Sequence, residues 1–419
     1  MPDPDALCVD SARLCREIEE LARFSDTEAP AVTRIVFSEQ DMRARAWLKA
    51  LCRDAGLEVR EDAVGNTFAR WSGSQPDLPA VGTGSHIDAI PHSGRYDGVV
   101  GVLGGLEAIR ALQASGFKPE RSIELLLFTA EEPTRFGIGC FGSRLLSGTL
   151  SVEADLALKD NDGQSLRELR QNAGFTDSIE SVRLTEGYYA GFAELHIEQG
   201  PLLEADDVPI GVVTGIAAPM SFYITVEGEG GHAGARLMPD RKDALCAAAE
   251  IVLAVEQSAK SSGAIDTVAT VGTCQIHPGA VNSIPSRVQF TVDLRDTDES
   301  RRDRVFSRIE SACAEVAQRR RVRVATQLIN ADPPALSSPA IVDAVVEACE
   351  DRGLSFRKMV SRAYHDSLFM ARIAPVGMIF IPCRGGVSHR PDEYAAPEAI
   401  ARGVEILAIT LRRLASTIV

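Results

Sequence analysis

The sequence contains no stretch of 18 consecutive apolar residues, and its start, Met1 to Ala12, has no basic segment followed by an apolar run. A transmembrane helix needs about 20 mostly apolar residues, and a secretory signal joins a basic start to an apolar core. Both patterns are missing from this chain. We therefore expect no membrane partner and a cytoplasmic protein.

Positive charge is also scarce. The 44 Lys and Arg residues stand against 59 Asp and Glu residues, which gives a formal net charge of -15 at pH 7. Such a surface repels the phosphate backbone of nucleic acids, so nucleic acid is not an expected partner. A small anionic ligand is still compatible with this charge, because a few Arg, His or metal charges dominate inside a pocket.

The cysteines form no CxxC pair, and the nine of them are scattered along the chain. This pattern favours free thiols in a reducing compartment over a disulfide framework. The hydrophobic fraction of 45% and the charged fraction of 25% are those of a folded globular protein. Because 419 residues exceed what one core usually serves, we expect two domains or one domain with a large insertion.

From residue 80 to residue 129 the sequence reads as strand, polar loop, helix and strand: AVGTGSHID, then GVVGVLGGLEAIRALQASG, then SIELLLFTA. Apolar residues of the helical part recur every three or four positions, and Gly116 stands where a C-terminal cap would be. Strands that alternate with helices predict an α/β fold with a mainly parallel sheet. In such sheets ligands gather at the carboxyl ends of the strands.

A second block of the chain has a different pattern. Its predicted elements are strand 220–227, helix 241–260, strand 268–276, strand 288–294, helix 301–319 and strand 322–329. This βαββαβ order predicts a ferredoxin-like α+β domain. In VQFTVDLR the apolar residues alternate with Thr291, Asp293 and Arg295, so one face is predicted to be core and the other free for chemistry.

After this block, helix 340–351, the strand VGMIFIP and helix 397–415 return to the first pattern. The second block is therefore predicted to be an insertion. We place the large domain at 1–215 and 331–419, and the inserted domain at 216–330.

Two polar groups follow the predicted strands of the large domain. His86 has Asp88 two residues later, and this acid could hydrogen-bond the second ring nitrogen of His86 and fix its metal-binding tautomer. Asp97 precedes the helix, where a carboxylate can bridge two divalent ions; a helix cap is the simpler alternative. Glu131 and Glu132 follow the next strand, where one could bind metal and the other act as general base; a solvated acidic loop is the alternative.

Five ordered segments carry a resemblance to a known family: GSHIDAIPHSGRYDGVVGVLGGLEAI, FTAEEPTRFG, ELHIEQGPLLE, GEGGHAG and GGVSHRPDE. They resemble the metallopeptidase-related family of N-carbamoyl-L-amino acid, allantoate and ureidoglycolate amidohydrolases. The similarity spans nearly the whole chain. It implies a dinuclear metallohydrolase whose inserted domain serves as lid and dimerisation domain.

The resemblance also implies two divalent metal ions per subunit, Mn²⁺ or Zn²⁺, which suit nitrogen and oxygen ligands. The implied ligands are His86 and His196 for one ion, Glu132 and His389 for the other, and Asp97 as the bridge between them. Glu131 is implied to be the general base that takes a proton from water and passes it to the leaving nitrogen.

Substrate contacts are implied for Gln199 in the large domain and for His232, Asn282 and Arg295 in the inserted domain. Arg295 offers a fork for a carboxylate, and His232 can stabilise an oxyanion. In this family the inserted-domain groups reach the active site of the neighbouring subunit, which implies a homodimer. The alternatives are a surface salt bridge for Arg295 and a turn for His232.

One segment sets this chain apart from the Gly-rich SGAGHD that is typical of the family, since it reads SRAYHD with Arg362 and Tyr364. Larger side chains there suit a small polar substrate, and the surrounding segments are most similar to the ureidoglycolate branch. The expected reaction cleaves the ureido C–N bond of ureidoglycolate to give glyoxylate, ammonia and CO₂. The alternatives are an N-carbamoyl-L-amino acid hydrolase, including one for N-carbamoyl-L-cysteine, an allantoate amidohydrolase, a dipeptidase, or a non-catalytic metal-dependent binding protein.

Overall fold

The computed structural model describes residues 7–150, 158–160 and 162–416, which form two compact units. The first unit takes in the described parts of Met1–Thr214, Leu336–Met359 and His365–Val419. The second unit takes in Gly215–Ala335 and Val360–Tyr364. No helix in the described part of the chain is both long and apolar enough to cross a membrane.

The α-helices among the described residues are α1 (Ser11–Ala22), α2 (Glu39–Asp54), α3 (Val99–Ala114), α4 (Phe141–Ser147), α5 (Leu166–Asn172), α6 (Leu202–Ala205), α7 (Ala244–Lys260), α8 (Glu299–Arg320), α9 (Pro339–Asp351), α10 (Ser367–Met370) and α11 (Pro397–Ala415). Short 3-10 helices span Ile179–Val182, Met238–Asp240 and Arg384–Gly386.

The β-strands among the described residues are β1 (Val32–Arg34), β2 (Glu58–Glu61), β3 (Thr67–Trp71), β4 (Ala80–His86), β5 (Ala89–Ser93), β6 (Ile123–Phe128), β7 (Tyr189–Ile197), β8 (Ile210–Ile216), β9 (Ala218–Glu227), β10 (Gly231–His232), β11 (Val268–His277), β12 (Ser283–Ile284), β13 (Arg287–Asp296), β14 (Arg323–Ala331), β15 (Ala335–Leu336), β16 (Phe356–Ser361) and β17 (Val376–Ile381).

The main sheet has the strand order β15-β8-β17-β7-β4-β6-β3-β2, with β16 also pairing with β8. The α/β class is confirmed, but the prediction of a mainly parallel sheet was wrong, because the sheet is mixed. The central pairs β17–β7, β7–β4 and β4–β6 are parallel. The pairs β8–β17, β6–β3 and β3–β2 are antiparallel. A short connection such as the one between β2 and β3 allows a hairpin, whereas parallel neighbours need a crossover.

Helix α3 covers the central strands, and its sequence explains why. Every residue from Val99 to Ile109 is buried, as expected for a helix enclosed between the sheet and other helices. Gly116 follows the helix with φ +81°, which confirms the predicted glycine cap. The crossover through α3 makes β4 and β6 parallel, so their carboxyl ends lie at one edge of the sheet.

The second unit contains a four-stranded antiparallel sheet with the order β11-β13-β9-β14. With α7 and α8 the chain order is βαββαβ, as the sequence pattern predicted. Along β13 the apolar residues Val288, Phe290, Val292 and Leu294 are buried, and the residues between them are partly exposed. The buried face packs against apolar residues of α7 and α8, so the opposite face of the sheet is open.

Candidate metal centre

The predicted metal ligands of the first unit come together at the carboxyl edge of the central strands. His86 is the last residue of β4, His196 lies near the end of β7, and Glu132 follows β6. The loop before α3 supplies Asp97, and the loop before α11 supplies His389. All are buried except His389, whose side chain is 45% exposed.

One oxygen of Asp97 faces two histidines. Its Oδ1 lies 3.1 Å from Nε2 of His196 and 3.8 Å from Nε2 of His86. The three residues offer ligand atoms that all lie within 4.8 Å of one another. Two imidazoles and one carboxylate at such spacing are a ligand set suited to a transition-metal ion.

The second oxygen of Asp97 faces a different pair. Its Oδ2 lies 2.9 Å from Nε2 of His389, and that nitrogen lies 3.2 Å from Oε1 of Glu132. These three residues form a second group whose ligand atoms are within 4.8 Å of one another. The two carboxylate oxygens of Asp97 therefore serve two separate groups, which is the arrangement of a bridging ligand.

The glycine after Asp97 packs directly against the ring of His86. Gly98 has φ +66°, and a Cβ atom there would lie 2.5 Å from Nε2 of His86. Any side chain at this position would therefore collide with the ring that carries this nitrogen. The donor set fits a bound cation, since the described residues include His, Asp and Glu groups able to hold metal.

Burial and neighbouring carboxylates shift the pKa values of the three histidines in this centre. The hydrogen bond to Asp97 and that to Glu132 raise the pKa of His389 to about 10. Burial opposes protonation of His196, but its contact with Asp97 raises its pKa to about 9. Burial lowers the pKa of His86. His389 therefore carries positive charge at the carboxylates of Asp97 and Glu132. Nε2 of His196, in contrast, accepts the backbone N–H of Gly98 at 3.1 Å.

Glu131 lies beside the first group, with Oε2 3.7 Å from Nε2 of His86. Its other oxygen accepts a hydrogen bond from Sγ of Cys140 at 3.4 Å. Burial and the neighbouring carboxylates, first that of Glu132, raise the pKa of Glu131. A carboxylate placed next to the ligand groups, but in neither of them, is available to carry protons.

Asp88 contacts the centre in a way that differs from the prediction. Nδ1 of His86 lies 3.0 Å from the backbone carbonyl of Asp88 and 3.7 Å from Oδ1 of its carboxylate, so the hydrogen bond is made to the carbonyl. The carboxylate accepts the backbone N–H groups of Glu131 at 3.2 Å and Glu132 at 3.0 Å. Asp88 therefore links strand β4 to the two acids that follow β6.

Gln199, Ser388 and Glu393 surround the centre, and the last two were not predicted from the sequence. Gln199 was expected near the substrate, and its amide donates to Oδ2 of Asp97 at 2.9 Å and to Oγ of Ser388 at 3.1 Å. Ser388 in turn donates to Glu393 at 2.9 Å. Both Ser388 and Glu393 belong to the segment SHRPDE that supplied His389, which is the signal that could have revealed them.

His365 was also missed, although it stands in the SRAYHD segment. Its ring packs edge-on against His196, with 4.5 Å between the ring centroids. Glu194 is fully buried nearby and accepts hydrogen bonds from Ser85 and Ser367. These contacts fix the surroundings of His196.

Left-handed backbone is concentrated at this centre. Four non-glycine residues at or beside it have positive φ: Ala130 at 54°, Cys140 at 56°, Gln199 at 54° and His389 at 58°. Each such residue costs about 1–3 kcal/mol and persists only where its surroundings hold it. Such strain is typical of functional sites.

The other predicted substrate residues lie in the second unit, not in the unit that holds the metal groups. His232 and Asn282 are exposed and adjacent, because β10 pairs with β12 and the Ala233 N–H donates to the Asn282 carbonyl at 2.8 Å. Nδ1 of His232 accepts two backbone N–H groups, which places its ring proton on Nε2, pointing away from these bonds.

Arg295 forms an ion pair with Asp293, with 2.8 Å between Nε and Oδ1. Its Nη1 donates to the backbone carbonyl of Arg362 at 3.2 Å. The Arg362 guanidinium pairs with Asp266 at 2.5 Å, and Tyr364 donates its hydroxyl to Asp332 at 2.7 Å. The side chains of Arg362 and Tyr364 are therefore both engaged within the second unit.

Comparison with known proteins gives one family. Residues 82–413 match the profile of Peptidase family M20/M25/M40. The chain is 53% identical over 416 residues to the ureidoglycolate hydrolase of Arabidopsis thaliana, covering 98% of this chain and 87% of that protein. It is 38% identical over 408 residues to the N-carbamoyl-L-amino acid amidohydrolase of Geobacillus stearothermophilus, covering 97% and 99%.

A solved structure agrees with these sequence matches. The crystal structure of the protein AtUAH in complex with glyoxylate has a TM-score of 0.88 and 53% sequence identity to this chain. The alignment covers 98% of this chain and 99% of that one. The likeness therefore extends over the whole α/β fold.

Proposed function

Because the chain belongs to peptidase family M20/M25/M40, as its motifs predicted, we propose that it hydrolyses ureidoglycolate in a metal-dependent reaction. The family and its named amidohydrolases confirm the expectation of a hydrolase. The substrate is carried over from the ureidoglycolate hydrolase that is 53% identical to this chain. A related structure that contains glyoxylate, a product of this reaction, supports the same choice.

Asp97 carries the proposal for the metal centre. Its two oxygens face two different ligand groups, His86 with His196 and Glu132 with His389. We propose one divalent ion in each group, Mn²⁺ or Zn²⁺, with Asp97 as the bridge. When bound, such ions polarise a carbonyl oxygen and lower the pKa of water.

Glu131 acts as the base in the proposed reaction. It takes a proton from the attacking water while the water oxygen bonds to the ureido carbon. The C–N bond to the glycolate half then breaks, and Glu131 hands the proton to the leaving nitrogen. Carbamate decomposes to NH₃ and CO₂, and the amino half loses NH₃ to give glyoxylate. Overall, one water and one ureidoglycolate yield glyoxylate, CO₂ and two NH₃.

Residues of the second unit complete the proposed site. Arg295 would exchange its ion pair with Asp293 for the substrate carboxylate and bind it with its planar fork. Nε2–H of His232 would donate to the oxyanion that forms at the ureido carbonyl, since its Nδ1 is already occupied by backbone N–H groups. Asn282 adds a further donor close to His232, and Gln199 adds one from the first unit.

We further propose that the chain works as a homodimer in which His232, Asn282 and Arg295 serve the site of the partner. Their location in a different unit from the metal ligands supports this arrangement. Strand β11 is an edge of the four-stranded sheet and pairs only with β13 among the described strands. Its residues Thr273 to His277 are all exposed. The second unit would then serve as lid and dimerisation domain.

A substrate panel tests the proposed function. Ammonia release is measured from ureidoglycolate, allantoate and several N-carbamoyl-L-amino acids, with Mn²⁺ or Zn²⁺ added to the chelator-treated protein. We expect ureidoglycolate to give the highest kcat/KM and chelation to abolish turnover. A preference for an N-carbamoyl-L-amino acid would overturn the substrate and favour the activity named for the 38% identical relative.

A further inference from the structure

Glu393 stands outside both ligand groups, yet it touches the loops that supply two of the ligands. Its side chain is 4% exposed. Oε1 accepts the backbone N–H groups of Tyr96 at 2.8 Å and Asp97 at 3.1 Å. One carboxylate oxygen thus holds the backbone at the bridging residue itself.

The other oxygen of Glu393 reaches the loop of His389. Oε2 accepts the hydroxyl hydrogen of Ser388 at 2.9 Å. Because that hydrogen is used, the Ser388 oxygen is free to accept the amide of Gln199, which lies 3.1 Å away. The same amide donates to Oδ2 of Asp97 at 2.9 Å. The hydrogen bonds therefore form a closed ring from Asp97 through Gln199, Ser388 and Glu393 back to the Asp97 backbone.

The chain leaves room for this carboxylate at one specific glycine. A Cβ atom at Gly94 would lie 2.4 Å from Cβ, Cδ and Oε1 of Glu393. Gly94 has no left-handed φ, so its backbone conformation does not require glycine. The close approach of Glu393 is the feature at this position that a larger residue would disturb.

From these contacts we infer that Glu393 is a positioning residue that holds the bridging Asp97 and the loop of His389 in their metal-binding geometry before any ion binds. Asp97 and His389 come from loops almost 300 residues apart in sequence, and Glu393 is bonded to both loops. Preorganised ligands bind metal more tightly, because less chain entropy is lost on binding. The inference rests on the proposed metal centre.

Titration of the metal-free protein with Mn²⁺ alone tests the inference. We expect Glu393→Ala to weaken Mn²⁺ binding by about 10–100-fold, the usual effect of losing a partner that orients a ligand. Glu393→Gln should lose less affinity than Glu393→Ala, since its amide oxygen can still accept both backbone N–H groups but its NH2 cannot accept the hydroxyl hydrogen of Ser388. Gly94→Ala should also weaken Mn²⁺ binding, because the added Cβ atom would displace the Glu393 side chain.

Glu107 provides the matched control. It is a buried carboxylate of the same unit that accepts the Asp10 N–H and pairs with Arg13, so these partners belong to the start of α1 and not to the ligand groups. Glu107→Ala should lower the melting temperature of the metal-free protein and leave its Mn²⁺ affinity unchanged. This separates a general loss of stability from a specific effect on the metal centre.

The outcomes distinguish the inference from the proposed function. If the wild-type protein binds no Mn²⁺, the proposed metal centre itself fails. If wild type binds Mn²⁺ and folded Glu393→Ala binds it equally well, only the positioning role is overturned. If Glu393→Ala does not fold, Ser388→Ala is measured instead, because it removes one hydrogen bond of the same ring. Unchanged Mn²⁺ affinity in both Ser388→Ala and Gly94→Ala would overturn the positioning role.

Discussion

Nε2 of His389 lies 2.9 Å from Oδ2 of Asp97 and 3.2 Å from Oε1 of Glu132, so that one imidazole faces two carboxylates. The two contacts raise the pKa of His389 to about 10. In the metal-free protein this imidazolium supplies the positive charge that a divalent ion would otherwise supply. Metal binding at this group must therefore displace a proton.

We predict that Mn²⁺ binding releases protons and strengthens as the pH rises. Below a pKa of about 10, the ring nitrogen of His389 that faces Asp97 and Glu132 holds a proton that competes with the ion. Apparent affinity should increase from pH 7 to pH 9 and level off above about pH 10. Calorimetric titration in two buffers with different ionisation enthalpies measures the released protons, and an affinity independent of pH in this range would contradict the prediction.

Glu131 should be separable from the metal ligands by mutation. We predict that Glu131→Gln lowers kcat by at least ~10², the effect of removing a general base, while both ions stay bound. The glutamine side chain has nearly the shape of the glutamate that it replaces, so the fold is kept. The measurement combines turnover of ureidoglycolate with elemental analysis of the purified protein.

The contrasting variant for that experiment is His86→Ala, which removes a proposed ligand from the first group. It should lose bound metal together with activity. Near wild-type turnover of Glu131→Gln would refute the base assignment, and two ions per subunit in His86→Ala would refute the ligand assignment.

Much of the fold could be predicted because helices and strands leave local patterns of apolar residues in the sequence. The spacing of apolar residues in α3 and the alternation along β13 both reflect burial of one face, and burial is decided by nearby residues. The direction of each strand is not local information. Strand β3 pairs with β6 in antiparallel sense although the intervening chain contains β4 and α3, and nothing in its own sequence indicates that.

The residues of the site also fall into those that local sequence predicts and those that depend on distant contacts. The placement of His86 and Glu132 could be predicted, because each stands at the carboxyl end of a strand and these ends share one edge of the sheet. The bond from Glu393 to the Asp97 backbone joins residues 296 positions apart and depends on the packing of two loops. Whether the carbonyl or the carboxylate of Asp88 accepts a hydrogen bond from His86 depends on backbone and side-chain torsion angles, which the spacing of residues does not determine.

The proposed exchange of residues across a dimer can be tested by mixing two inactive variants. Glu131→Gln lacks the base in the first unit, and Arg295→Ala lacks the carboxylate fork in the second unit. If the second unit serves the partner's site, a mixed dimer contains one intact site and regains part of the activity. No recovery after proven subunit exchange would show that each site is built within one chain.

Arg362 and Tyr364 stand where the family pattern has glycines. If they limit substrate size, replacing both with Gly should lower kcat/KM for ureidoglycolate and raise it for the bulkier allantoate. Contacts of this kind carry about 1–3 kcal/mol of discrimination. The measurement is the ratio of kcat/KM values across the substrate panel, not the activity toward any single substrate.

The structure provides a specific alternative, because Arg362 pairs with Asp266 and Tyr364 donates to Asp332. If these contacts only stabilise the second unit, the double variant loses stability and all substrates are affected alike. Tyr364→Phe is the matched control, since it removes the donated hydrogen bond but keeps the volume of the ring. A size limit predicts that Tyr364→Phe keeps the wild-type preference while the glycine variant loses it. Unchanged relative specificity in the glycine variant would refute the size limit, and the two side chains would then act through Asp266 and Asp332 alone.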